Sequence, residues 1–191
     1  EWIEGPSLDR FLLQNSEIVD EDFLIKSLAK AISFLHSNHK VHHDLKPQNI
    51  LISKDAKRVV LIDFGDSMVV DEGSLRPLDL GIGLGTLAYT GPELLSRKVD
   101  FYDPFAADIY SFGVVLFVIL NRKSKILPFA ALIPHRAVQL ILTVQKGFFA
   151  GGYNPESPLD SKFFPLMKSC LSVNPTERPS IQEILKTLGG S

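Results

Sequence analysis

The chain has 191 residues, 20 Lys+Arg against 22 Asp+Glu for a formal charge of −2, 45% hydrophobic residues and one cysteine, Cys170. A chain this long buries roughly 70% of its unfolded surface, so it can hold a core without disulfides or a structural metal. The composition excludes a disordered or collagenous chain, the lone cysteine excludes an internal disulfide framework, and the near-neutral charge argues against a nucleic-acid protein working through a basic face.

In chain order, the first strong signal is at 21–37, where Phe23, Leu24, Leu28, Ala31, Ile32 and Leu35 have the spacing of an amphipathic helix. The polar segment from Val41 to Lys46 reads as a loop stopped by Pro47. Asn49–Ile52 and Val59–Ile62 are short β-branched runs, the first followed by the polar turn Ser53-Lys54-Asp55, which predicts a small hairpin. From Asp63 to Pro92 no periodicity appears, and the stretch reads as a long ordered loop, a feature that usually carries function. Helices are predicted at 106–120, 135–146, 160–172 and 179–188, the last with Pro179 beside it and Ser180 and Glu183 as a cap pair. The longest apolar run, Phe112–Leu120, has nine residues and ends at Asn121-Arg122-Lys123. A bilayer span needs about 20, so this run predicts a buried core helix and the chain has no membrane segment. With no signal-peptide pattern at its start, a soluble protein in the cytoplasm is expected. The fold class is α+β, mainly α-helical, with polar residues gathered around the hairpin.

Three motifs occur in fixed order: His42-His43-Asp44-Leu45-Lys46-Pro47-Gln48-Asn49, then Asp63-Phe64-Gly65, then Gly85-Thr86-Leu87-Ala88-Tyr89-Thr90-Gly91-Pro92-Glu93. Each alone is weak. Together they make the chain resemble the C-terminal lobe of a eukaryotic-type protein kinase of the Ser/Thr class, from the hinge onward. Asp108-Ile109-Tyr110-Ser111-Phe112-Gly113, Leu127-Pro128-Phe129 and Asn174-Pro175-Thr176-Glu177-Arg178-Pro179-Ser180 extend the likeness over essentially the whole chain.

The resemblance implies a partial kinase domain over 1–191, with hinge 1–7, catalytic loop 42–49, activation segment 63–93 and helical subdomain 94–188. The N-terminal lobe is absent and is expected upstream. It also implies phosphoryl transfer from ATP, with Mg²⁺, to a Ser or Thr hydroxyl of a protein substrate. Asp44 would orient that hydroxyl and accept its proton, and Lys46 would stand beside the transferred phosphate. Asn49 and Asp63 supply the hard oxygen ligands that Mg²⁺ prefers. Backbone groups of Glu1 and Ile3 would meet the adenine, with Leu51 as the floor of its pocket. Lys46 and Thr86 go with Ser/Thr rather than Tyr specificity in this family. Arg178 would pair with Glu93, Asp108 would anchor the catalytic-loop backbone, and Phe64 would stack toward His42. Tyr89 and Trp2 read as packing groups.

Departures from the family pattern are informative. The glycine-rich loop, the strand Lys that pairs with the phosphates and the helix Glu that holds it lie ahead of the hinge in this family. Gly81-Ile82-Gly83-Leu84-Gly85 does not replace that loop, because it follows Asp63 and opens no helix. The segment by itself is therefore expected to be catalytically incompetent, and a non-catalytic kinase-like interaction module is the alternative reading. His43 stands where the family usually has the Arg that pairs with an activation-segment phosphate, and the usual acceptor position, four residues before Thr86, is Ile82. A phosphate-independent loop follows, with Ser67, Ser74 and Thr90 as the remaining acceptors to test. Gly91 replaces an Ala at no expected cost. Gln48 and Ser7 are neutral, which predicts no strong demand for Arg upstream of the target hydroxyl. His39, His42 and His43 match no zinc spacing and read as packing and loop residues, and Cys170 reads as a small core residue.

Overall fold

The computed structural model describes residues 4–15, 20–71, 73–77, 86–96, 100–122 and 161–189. Helix α1 (Leu8–Gln14) is short and buries Leu8 and Leu12. The amphipathic stretch forms α2 (Glu21–Ser37), and its start is set by Asp20, whose carboxylate accepts the Phe23 amide at 2.9 Å. That bond satisfies one of the amides an α-helix leaves free in its first turn. The inward face of α2 carries Leu24, Ile25, Leu28, Ala29, Ile32, Leu35 and His36.

The core is built around α4 (Pro104–Leu120), which follows the short α3 (Pro92–Ser96). Asp103 caps α4 by accepting the Phe105 and Ala106 amides at 2.9 and 3.3 Å, and Pro104 occupies the first turn, where a missing N–H costs no helical bond. From Ala107 to Phe117 the helix is buried on every side, as its continuous apolar run predicts. No helix among the described residues is long and apolar enough to cross a membrane.

Helix α5 (Phe164–Cys170) packs on α4 and buries Leu166, Met167 and Cys170. Their close approach uses the missing side chain of Gly113, since a Cβ there would lie 2.8 Å from Cys170 Cβ. Burial pushes the Cys170 thiol up to about 12, in keeping with a core role. Helix α6 (Ile181–Thr187) begins on a reciprocal cap: Ser180 Oγ accepts the Glu183 amide at 3.3 Å, and the Glu183 carboxylate accepts the Ser180 amide at 2.7 Å. Pro179 precedes that cap and stays outside the helix. The predicted helix 135–146 and the Leu127-Pro128-Phe129 segment lie outside the described residues.

Among the described residues, three two-stranded sheets lie beside the helices. The predicted hairpin is present as β2 (Ile50–Ile52) against β3 (Val59–Leu61), in register Ile50↔Leu61, Leu51↔Val60 and Ile52↔Val59. Residues 4–7 run along its outer edge: the Ile52 amide donates to Pro6 O and the Lys54 amide to Glu4 O, each at 3.0 Å. The other two sheets correct the reading of 63–92 as a loop without regular structure. Within it, β4 (Met68–Val69) pairs with β1 (Lys40–Val41), and β5 (Arg76–Pro77) pairs with β6 (Phe101–Tyr102), all antiparallel. Strands of two residues are too short to show an alternating pattern.

Candidate active site

The site is assembled on a buried acid. Asp108, in the first turns of α4, is 1% exposed and accepts the backbone amides of His42 and His43 at 2.8 Å each, while His36 Nε2 lies 3.1 Å from its Oδ2. Burial pushes the Asp108 carboxyl up, but His36 and the two amides outweigh it and hold the group below the ordinary carboxylate range. The loop backbone from His42 is thus fixed to the central helix. His42 is fully buried. Its Nδ1 takes the Asp44 amide at 3.4 Å, which leaves Nε2–H to donate to Ile62 O at 3.0 Å, and its ring lies 5.0 Å from that of Phe64. The expected stacking of Phe64 toward His42 is present.

Asp44, Lys46, Asn49 and Thr86 form one cluster. Lys46 Nζ donates to Asp44 Oδ2 at 2.5 Å and to Thr86 Oγ1 at 2.9 Å. Thr86 in turn donates its amide (3.0 Å) and its hydroxyl (3.1 Å) to Asp44 Oδ1. Asn49 Nδ2 donates to Asp44 O at 2.9 Å and to Asp44 Oδ2 at 3.0 Å. Burial raises the Asp44 carboxyl, yet the Lys46 ammonium together with the Thr86 amide and hydroxyl holds it below its usual value. Asp44 is therefore a carboxylate at neutral pH, acceptor-only on both oxygens.

Asn49 closes a 3₁₀ turn (Pro47–Asn49) that leads straight into β2. Its carbonyl accepts the Ile62 amide at 3.0 Å, which brings the end of β3, and so Asp63, to the 42–49 loop. Asp63 is exposed, sits at φ +62° and, among the described residues, receives only a long 3.4 Å contact from the Gly65 amide at Oδ1. A non-glycine residue at positive φ is uncommon and tends to mark functional loops. The donor set fits a hard divalent cation. Asn49 has committed its amide nitrogen inward, which leaves the amide oxygen as its unused acceptor among the described residues, and Asp63 offers an exposed carboxylate. Oxygen ligands of this kind, with water and phosphate completing the shell, suit Mg²⁺. Leu51 lies two residues beyond Asn49 on β2, half-buried and bridged to Ser7. Glu1, Trp2 and Ile3 lie outside the described residues.

Arg178 and Glu93 meet as expected, through two 2.7 Å contacts between guanidinium and carboxylate. Gly91 has a use that its neighbour explains: a Cβ at 91 would lie 2.6 Å from Glu93 Oε1, so Ala is not an equivalent residue here. Thr90 is buried and bonded to Thr86 O at 3.3 Å, which leaves Ser67 and Ser74 as the accessible hydroxyls of the three considered. Gln48, read as neutral, reaches Asp9 Oδ2 at 3.4 Å, so an acidic side chain does stand beside it. Sequence reasoning passed over His36 and Tyr102. His36 could have been found: it follows Leu28 and Ile32 at four-residue spacing, and a polar residue on a buried face requires a partner. Tyr102 gives no comparable signal.

Residues 1–188 match the family described as Protein kinase domain, and the chain belongs to that family. Among curated proteins it is similar to Sperm motility kinase 2B of Mus musculus, 34% identical over 97% of this chain and 35% of that protein. It is likewise similar to Serine/threonine-protein kinase cds1 of Schizosaccharomyces pombe, 33% identical over 97% of this chain and 39% of that protein. The chain spans little more than a third of the length of these curated relatives.

Proposed function

We propose that this chain is the larger lobe of a Ser/Thr protein kinase, which passes the terminal phosphoryl group of ATP to a Ser or Thr hydroxyl of a protein substrate. The observation that carries this reading is the cluster in which one ionised carboxylate, Asp44, is held by Lys46, Asn49 and Thr86. Phosphoryl transfer calls for positioning and charge neutralisation more than for covalent chemistry, and this cluster provides both. Asp44 orients the acceptor hydroxyl and takes its proton. Lys46, already at hydrogen-bond distance from Asp44, places a positive charge where the phosphoryl group passes. Asn49 and Asp63 would hold Mg²⁺, which supplies charge neutralisation to the phosphates. Leu51 would underlie the adenine, with the backbone of Glu1 and Ile3 at its edge. In this reading the hinge is 1–7, the catalytic loop 42–49, the activation segment 63–93 and the helical subdomain 94–188. The Ser/Thr kinases among its relatives and the Lys46–Thr86 contact support Ser/Thr over Tyr specificity.

The test is phosphate transfer from Mg·ATP to a Ser/Thr peptide library by the full-length protein. Asp44→Asn keeps the shape and removes the base, and should lower kcat by about 10²–10⁴. Equal transfer by wild type and variant would sink the proposal.

A further inference from the structure

Building on the kinase reading, we propose that Tyr102 and His43 are a positioning couple that holds strands β4 and β5 against the catalytic loop without a phosphate. The backbone of His43 is fixed by Asp108 at 2.8 Å and lies at φ +64°. Its ring Nδ1 is buried and has no hydrogen-bond partner. Nε2 lies 2.9 Å from the Tyr102 hydroxyl, and the two rings are 5.7 Å apart, tilted by 40°. Tyr102 is therefore the only hydrogen-bond partner of that ring among the described residues. The same hydroxyl is 4.0 Å from Met68 Sδ on β4.

From Tyr102 the connections return to where they began. Its strand β6 pairs with β5 in the register Arg76↔Tyr102. The Arg76 guanidinium donates to Val69 O on β4, and β4 pairs with β1 as Val41↔Met68, immediately before His42. The circuit runs from catalytic loop to β6, β5, β4, β1 and back to the catalytic loop. Tyr102 supplies the side-chain links around it, through the 2.9 Å hydrogen bond to His43 and the weaker 4.0 Å contact to Met68 Sδ. At the two sequence positions where the kinase resemblance leads one to expect an Arg and a phosphate acceptor, this chain has His43 and Ile82.

The experiment compares wild type, Tyr102→Phe, His43→Phe and the double variant in the full-length protein. His43→Phe removes the hydrogen bond to Tyr102, Tyr102→Phe removes it together with the weaker contact to Met68 Sδ, and each change keeps a ring. Hydrogen exchange over 68–77 and 101–102 should quicken about three- to ten-fold in each single variant. It should quicken no further in the double variant, while α6 exchanges as before. In the same preparations kcat should fall by a similar factor with KM for ATP unchanged, a split that a merely structural loss would not give. Unaltered exchange in Tyr102→Phe, or additive effects in the double variant, overturns the couple. Quickened exchange with unaltered kcat overturns its role in positioning. A wild-type protein that transfers no phosphate overturns the kinase reading alone, because the exchange measurement decides the couple independently of catalysis.

Discussion

Arg178 directs its guanidinium to four acceptor oxygens and one ring. Besides the two oxygens of Glu93, it donates to Ala106 O and Ser172 O at 2.9 Å each and lies 4.9 Å from the centre of the Tyr110 ring. Both side chains are almost fully buried, at 0% and 6% exposure. Such a pair contributes little when compared with an apolar replacement of both members, but removing one member strands a buried charge and costs about 3–5 kcal/mol. Arg178→Leu should therefore lower the unfolding free energy by that amount in a denaturant titration; an unchanged midpoint would show that Glu93 finds another partner. The Asp44–Lys46 contact is of a different kind. Both groups are partly exposed, at 10% and 21%, so solvent screens the pair and it contributes less to stability than the buried one.

At the scale of elements, α4 has two tasks that depend on different residues. Its apolar body forms the core, and Asp108 fixes the backbone of His42 and His43. Gly113→Ala tests the first: the added methyl group meets Cys170 and should destabilise by about 1–3 kcal/mol, read as a lower melting temperature. Asp108 tests the second through pH. Its native carboxyl lies below the unfolded value of about 3.9. Its contribution is thus complete above about pH 4 and is lost as pH falls through the depressed native value. The melting temperature should drop on acidification below pH 4, and Asp108→Asn should melt lower at pH 7 and show a shallower acid slope. Helices α2 and α4 and the β2–β3 hairpin were legible because hydrophobic period and run length reveal elements of this size. Asp44, Asn49 and Asp63 stood out because their residue types recur at fixed spacing along the chain. The pairings β1–β4 and β5–β6 were not legible, since two-residue strands have no period and partners such as Arg76 and Tyr102 meet only through tertiary folding. The use of Gly91 was hidden for the same reason, because it depends on where the Glu93 carboxylate lies.

For the molecule as a whole, the kinase reading and the chemistry of His43 and Ile82 give one expectation about regulation. Phosphatase treatment of the full-length protein should leave its transfer rate unchanged, and so should Ser67→Ala and Ser74→Ala; a fall in any of these would show that phosphate on the segment matters. The buried sulfur atom between α4 and α5 leads elsewhere. Cys170 is the only thiol in the chain, it is 0% exposed, and at neutral pH it stays protonated, whereas the reactive species is the thiolate. An aromatic disulfide reagent can therefore react only with molecules in which α5 has separated from α4. The rate of colour release becomes a clock for the opening of the core, one that needs no engineered label.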